Sequence, residues 1–195
     1  MIASSSMASA IMGAAAAKSM SGQDMEKLAR SLSDGIVPNI LSKAQVITVD
    51  NGTSGSGTGT GGFASVVSSD LESKLLSQFA ANSMMGEKIP DLANVLATGI
   101  ASEIQKSQVQ TIVAGVGPGS GTGYIMGLDP SSMQGQIMGM FATNGLSGQD
   151  IVNLAAAVAA AVVQFISSLT VTTVDTGSTT TPPSSATGSG TGKIL

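Results

Sequence analysis

Apolar positions along much of this chain recur at helical spacing. Leu71, Leu75, Leu76 and Phe79 fall at i, i+4, i+5 and i+8, the stripe of a helix expected over 69–83. Asp70 and Glu72 would sit favourably at its positive N-terminal end. Leu92, Leu96, Ile100 and Ile104 recur every fourth residue and predict a second helix over 91–105, with Pro90 in its first turn. Leu28, Leu32, Ile36 and Ile40 do the same over 24–41, where Pro38 should kink or restart the helix. Further helices are expected over 5–19, 131–143 and 150–167. The pattern then changes to Val, Ile and Thr with partial alternation over 45–50, 108–113 and 169–175, which predicts three short strands. Asn51-Gly52 signals a turn after the first.

These elements fall into three blocks that also repeat as sequence. A shift of 126 carries Ser5-Ser6-Met7 onto Ser131-Ser132-Met133, Ile11-Met12-Gly13 onto Ile137-Met138-Gly139, and Ser21-Gly22-Gln23-Asp24 onto Ser147-Gly148-Gln149-Asp150. The middle block is more diverged: Leu28, Ala29, Gly35, Ile36 and Ile40 match Leu92, Ala93, Gly99, Ile100 and Ile104 at a shift of 64. Gly-Ser-Gly-Thr-Gly occurs three times, beginning at Gly55, Gly119 and Gly188. The expected architecture is α+β: three tandem copies of a helix-helix-strand-Gly-rich arm module, spanning 1–64, 65–126 and 127–195. A lone strand cannot satisfy its own backbone, so the strands are expected to pair between modules or between subunits.

Composition points to packing of small residues rather than to chemistry. The 195 residues include four Phe, one Tyr and no Trp, so a large aromatic core is impossible. Eleven Met add adaptable contact surface. A modular unit of this size has a marginal core alone and gains from burial against neighbours. The net charge of −4 comes without a basic stripe, which weighs against a nucleic-acid partner. No Cys and no His are present, removing disulfides, thiolate ligands, the usual general base and the commonest zinc ligand. The apolar run 154–166 is too short to cross a bilayer and reads as a buried core helix; no membrane partner is expected.

The motifs that invite a chemical reading favour structural ones. Ser21 with Asp24, and Ser147 with Asp150, have the spacing of a helix cap, in which the hydroxyl and the carboxylate satisfy terminal amides. As catalytic or metal carboxylates, Asp24 and Asp150 have no partner nearby. The glycine-rich stretches fail as phosphate loops, because only Gly192-Lys193 supplies a lysine and no helix can follow it. They fail as dinucleotide fingerprints on spacing. No cofactor or metal, and no enzymatic activity, is expected. The glycines are instead expected to form ordered arms: Gly55, Gly57 and Gly59; Gly119, Gly121 and Gly123; Gly188, Gly190 and Gly192. Phe63, Tyr124 and the Ile194-Leu195 pair would anchor them. Pro182-Pro183 should keep the last arm extended.

Three features together, SGQD-x3-LA (Ser21–Ala29 and Ser147–Ala155), the VTTVDTG strand and the GSGTG arm, resemble the texture of tailed-bacteriophage virion structural proteins. That resemblance implies a virion component of capsid, neck or tail, with copies of itself and other virion proteins as partners. A secreted or surface adhesin-like repeat protein and a small membrane-active protein are the alternatives. Three units per chain would also suit a partner with threefold or sixfold symmetry.

Overall fold

A computed structural model describes residues 2–43, 45–53, 56–63, 66–114, 119–178 and 186–194. The element order is helix, helix, strand, strand, three times over. The first group is α1 (Ile2–Ala16), α2 (Gln23–Lys43), β1 (Gln45–Thr53) and β2 (Ser56–Phe63). The second is α3 (Ser68–Ala81), α4 (Ile89–Lys106), β3 (Gln108–Ala114) and β4 (Gly119–Met126). The third is α5 (Pro130–Thr143), α6 (Gln149–Ser167), β5 (Val171–Ser178) and β6 (Ala186–Ile194). The boundaries expected at 64 and 126 fall in the connections that follow β2 and β4. The compact units run across those boundaries: the described helices, apart from the last residues of α2, α4 and α6, form one, and the described strands form the other.

In the helical unit each odd-numbered helix buries one row at i, i+4 and i+8. The rows are Met7, Ile11 and Ala15; Leu71, Leu75 and Phe79; Met133, Ile137 and Phe141. These are near-complete burials, and truncating Phe79 or Phe141 to Ala should cost about 3–5 kcal/mol. The longer helices bury wider faces, including Leu32, Ile36 and Ile40 on α2, Leu96, Ile100 and Ile104 on α4, and Val158, Val162 and Ile166 at the corresponding positions of α6. Glycine sets the helix contacts. A β-carbon at Gly35 would lie 2.8 Å from Leu75 Cδ2, and one at Gly99 would lie 2.6 Å from Ile137 Cγ1. Thus α2 meets α3, and α4 meets α5, at close range. The second contact also holds a buried carboxylate: Glu103 accepts hydrogen bonds from the Ser132 hydroxyl at 3.0 Å and from the Gln136 amide. By length and composition α6 could cross a membrane, yet more than half of it is buried within the protein.

The odd helices end alike. Ser19, Ser83 and Gly145 each take positive φ (61°, 55° and 68°). The following amides of Met20, Met84 and Leu146 donate back to the carbonyls of Ala15, Phe79 and Phe141 at 2.8–3.0 Å. This closure satisfies carbonyls that the helix end would otherwise leave open. The helix does not restart at Pro38, and α2 continues through it to Lys43.

The strand unit departs most from expectation. It is a closed antiparallel barrel in the order β1-β2-β3-β4-β5-β6, with β6 returning to β1. Among the described residues the glycine-rich segments are strands, not arms, which gives six strands rather than the three expected. Each pairs with its own hairpin partner on one side and with the neighbouring group on the other, all within one chain. Closure leaves no open sheet edge. The expected turn at Asn51-Gly52 is instead the continuation of β1, paired with Thr58 and Gly57. Residues 54–55, which follow it, lie outside the described residues.

Register explains why glycine is tolerated here. Gly61 pairs with Thr48 on one side of β2, while Gly59 pairs with Thr111 on the other. Gly123 and Gly121 bridge Thr111 and Thr173 in the same way, as Gly192 and Gly190 bridge Thr173 and Thr48. Each even-numbered strand therefore staggers the barrel by two residues. Eight strands make a barrel whose interior side chains just fill it, so six leave less room. Glycine on alternate strands provides that room. A β-carbon at Gly61, Gly123 or Gly192 would lie 1.8, 2.0 or 2.3 Å from a carbonyl oxygen of the adjacent strand.

Candidate functional site: the barrel faces

Strand alternation separates two sets of side chains. The inward set begins with Val46, Val109 and Val171, joined by Phe63 and Ile125, all buried. The next inward level holds Thr48, Thr111 and Thr173, each flanked by glycine on both sides. The three threonines are 0%, 0% and 2% exposed, and their Oγ1 atoms have no hydrogen-bond partner among the described residues.

The outward set makes a second pattern one residue along. Val49 lies between Thr60 and Ser189, Ile112 between Thr58 and Thr122, and Val174 between Ser120 and Thr191. Aliphatic and hydroxyl side chains thus alternate around the whole barrel. Val49, Ile112 and Val174 are 58%, 66% and 67% exposed, and the six hydroxyl residues are exposed too. Ile47 and Tyr124 add further exposed apolar surface, with the Tyr124 hydroxyl donating to Gln110 Oε1 at 2.8 Å. Among the described side chains of the six strands none is charged. A hollow of about 580 Å³ opens on this face over β6, walled by Ile47, Val174 and Thr191. A surface of exposed β-branched side chains of this kind can bury them against a complementary face.

The helical unit carries a separate groove of about 1150 Å³ along α1 and α2. Serine hydroxyls (Ser5, Ser9, Ser33), Met12 and Asp34 line it, together with Arg30, whose guanidinium donates to Glu26 at 2.6 Å. That ion pair is exposed and closes a helical turn (i, i+4), a geometry worth only about 0.3–0.5 kcal/mol. No group of three or more potential metal ligands occurs among the described residues.

The residues singled out by sequence are distributed as follows. Gly57, Gly59, Gly121, Gly123, Gly190 and Gly192 lie on the even-numbered strands, as do the backbones of Gly119 and Gly188. Gly55 and Leu195 lie outside the described residues, with Pro182 and Pro183. Structural register aligns the stretch 57–61 with 119–123 and 188–192, so the first motif is offset by two residues from the copy beginning at Gly55. Phe63 is buried opposite Val46, and Ile194 is paired with Val171. The corresponding inward residue of β4 is Ile125, while Tyr124 points outward and is half exposed.

At the helix starts, α2 and α6 begin at Gln23 and Gln149, directly after Gly22 (φ 119°) and Gly148 (φ 129°). Carbonyls of those glycines accept the first helical bonds, from Glu26 and Val152. Ser21 and Ser147 lie one residue further out, exposed, and Asp24 and Asp150 lie in the first turns. Asp24 accepts from Lys27 Nζ at 3.5 Å. A side-chain cap does occur at α5, where Asp129 accepts from the Ser132 amide at 2.8 Å and Pro130 takes the first helical position. That Asp-Pro-Ser-Ser signature was readable in the sequence. The threonine level and the outer aliphatic ring were harder to see, because their partners lie on strands that sequence reading takes for arms. Comparison with family models, with curated proteins and with solved structures finds no match to this chain.

Proposed function

We propose that this chain is a non-enzymatic structural subunit of a larger assembly, and that the outer barrel face is its contact surface. The observation that carries the reading is the ring of Val49, Ile112 and Val174, exposed at one level on alternate strands of a barrel whose own pairing is complete. Covering each side chain would contribute about 1–2 kcal/mol, and no charge on the described strand faces would have to be desolvated. Because the barrel has no open edge, the contact is made by side chains rather than by strand addition. The three groups of elements are read as tandem copies of one module, which would present equivalent residues to a partner of threefold or sixfold symmetry. The particle we propose is a tailed-phage virion, a reading that rests on the texture of the sequence; partners would then be other copies of this chain and other virion proteins.

The test is the triple variant Val49→Asp, Ile112→Asp, Val174→Asp. Each site is mainly exposed, so each change should alter stability by no more than about 1 kcal/mol. Native mass by light scattering, and recovery of the chain with gradient-purified particles, should both fall to the unassembled level. A folded triple variant that still enters the assembly would defeat the proposed contact surface, and a wild-type chain absent from every particle fraction would defeat the virion reading.

A further inference from the structure

We propose that the barrel is a binding site for ordered water, held on its axis by Thr48, Thr111 and Thr173. A hydroxyl buried without a partner is costly, and here three occur at one level of one small barrel. The glycines that flank each threonine supply no side-chain donor or acceptor. On one side the threonine level is closed by Val46, Val109, Val171, Phe63 and Ile125, which are equally unable to bond a hydroxyl. None of the three hydroxyls bonds to the neighbouring strand backbone either. The hydroxyls therefore call for a partner that these strands do not supply, on the inward face that the three threonines share.

Water fits this donor set better than an ion does. Each threonine hydroxyl has one proton and two lone pairs. One water can donate to two of the hydroxyls and accept from the third, giving every Oγ1 a partner without placing a charge in the interior. A cation would find only three neutral oxygens at this level, and an anion would require all three protons to point inward. Buried waters typically make about three hydrogen bonds to otherwise unsatisfied groups, the number offered here.

The experiment is water-exchange NMR on the full chain with labelled threonine. Slow-tumbling cross-peaks to water are expected at the γ-methyl and hydroxyl protons of all three residues. Those hydroxyl protons should exchange at least roughly tenfold more slowly than at exposed Thr58 and Thr60. In Thr111→Val, water contacts at Thr48 and Thr173 should weaken, and in the triple valine variant they should vanish while the barrel amides stay protected. If the triple variant does not fold, the single variant still decides. Absence of long-lived water at these threonines in the folded wild type overturns the proposal. Water contacts unchanged by Thr111→Val do the same, as does a saturable shift at the three threonines on titration with chloride.

Discussion

A β-carbon is the smallest side chain there is, and in this barrel its placement separates glycines that look identical in sequence. At Gly123 it would lie 2.0 Å from the Gln110 carbonyl oxygen, which belongs to a paired strand and cannot swing away. At Gly62 the nearest atom, the Ser107 carbonyl oxygen, is 3.7 Å distant, an ordinary contact. Gly123→Ala should therefore cost at least about 3 kcal/mol, whereas Gly62→Ala should stay within about 1 kcal/mol. Denaturant midpoints of the two variants give the comparison, and equal costs would mean that the barrel is not wound as tightly as described. Glycine at every second position was visible as Gly-x-Gly-x-Gly, which is a period of two and hence a strand period. Glycine is depleted in ordinary strands, so the same letters read as an extended arm. What distinguishes the readings is room inside a narrow barrel, and that depends on five other strands.

At the level of elements the helices were the legible part. Their apolar residues recur every three or four positions, and burial of Leu71, Leu75 and Phe79 follows directly from that spacing. Their partners were not legible, because a stripe says that a helix is covered but not by what. Close contact of α4 with α5 depends on Gly99 lying against Ile137, whose Cα would be 3.3 Å and Cγ1 2.6 Å from an added β-carbon. Gly35 faces Leu75 more loosely, at 3.5 Å from Cα and 2.8 Å from the movable Cδ2. Alanine also favours a helix by about 1 kcal/mol over glycine, which offsets part of any clash. Gly35→Ala is thus expected to be near neutral, and Gly99→Ala to lower stability by roughly 1–3 kcal/mol. Thermal unfolding of the two variants tests this, with the reverse order excluding the described packing of α4 on α5. Glu103 belongs to the same contact, and its bonds to Ser132 and Gln136 tie a particular residue of α4 to a particular turn of α5. An isolated Glu in a helical pattern gives no sign of that, since most are solvated.

For the molecule as a whole, the decisive contact is the one between the first strand and the last. β1 lies between β2 and β6, with Val46 paired to Gly192 and Thr48 to Gly190. Contacts of such wide sequence separation close the barrel, and without them both β1 and β5 become edges. A chain truncated after Ser178, which lacks β6, should therefore lose more than its own strand. Hydrogen exchange should show lost amide protection at Val46, Thr48, Val171 and Thr173, and the exposed edges should promote association through new strand pairing. Helices α3 and α4, which belong to the other compact unit apart from the last residues of α4, should keep their protection. A last segment acting as a free arm would behave differently: its removal would leave β1 protected and the remaining barrel amides unchanged. Loss confined to the truncated residues would thus restore the arm, while loss spreading to β1 and β5 would establish that the glycine-rich strands complete one cooperative barrel.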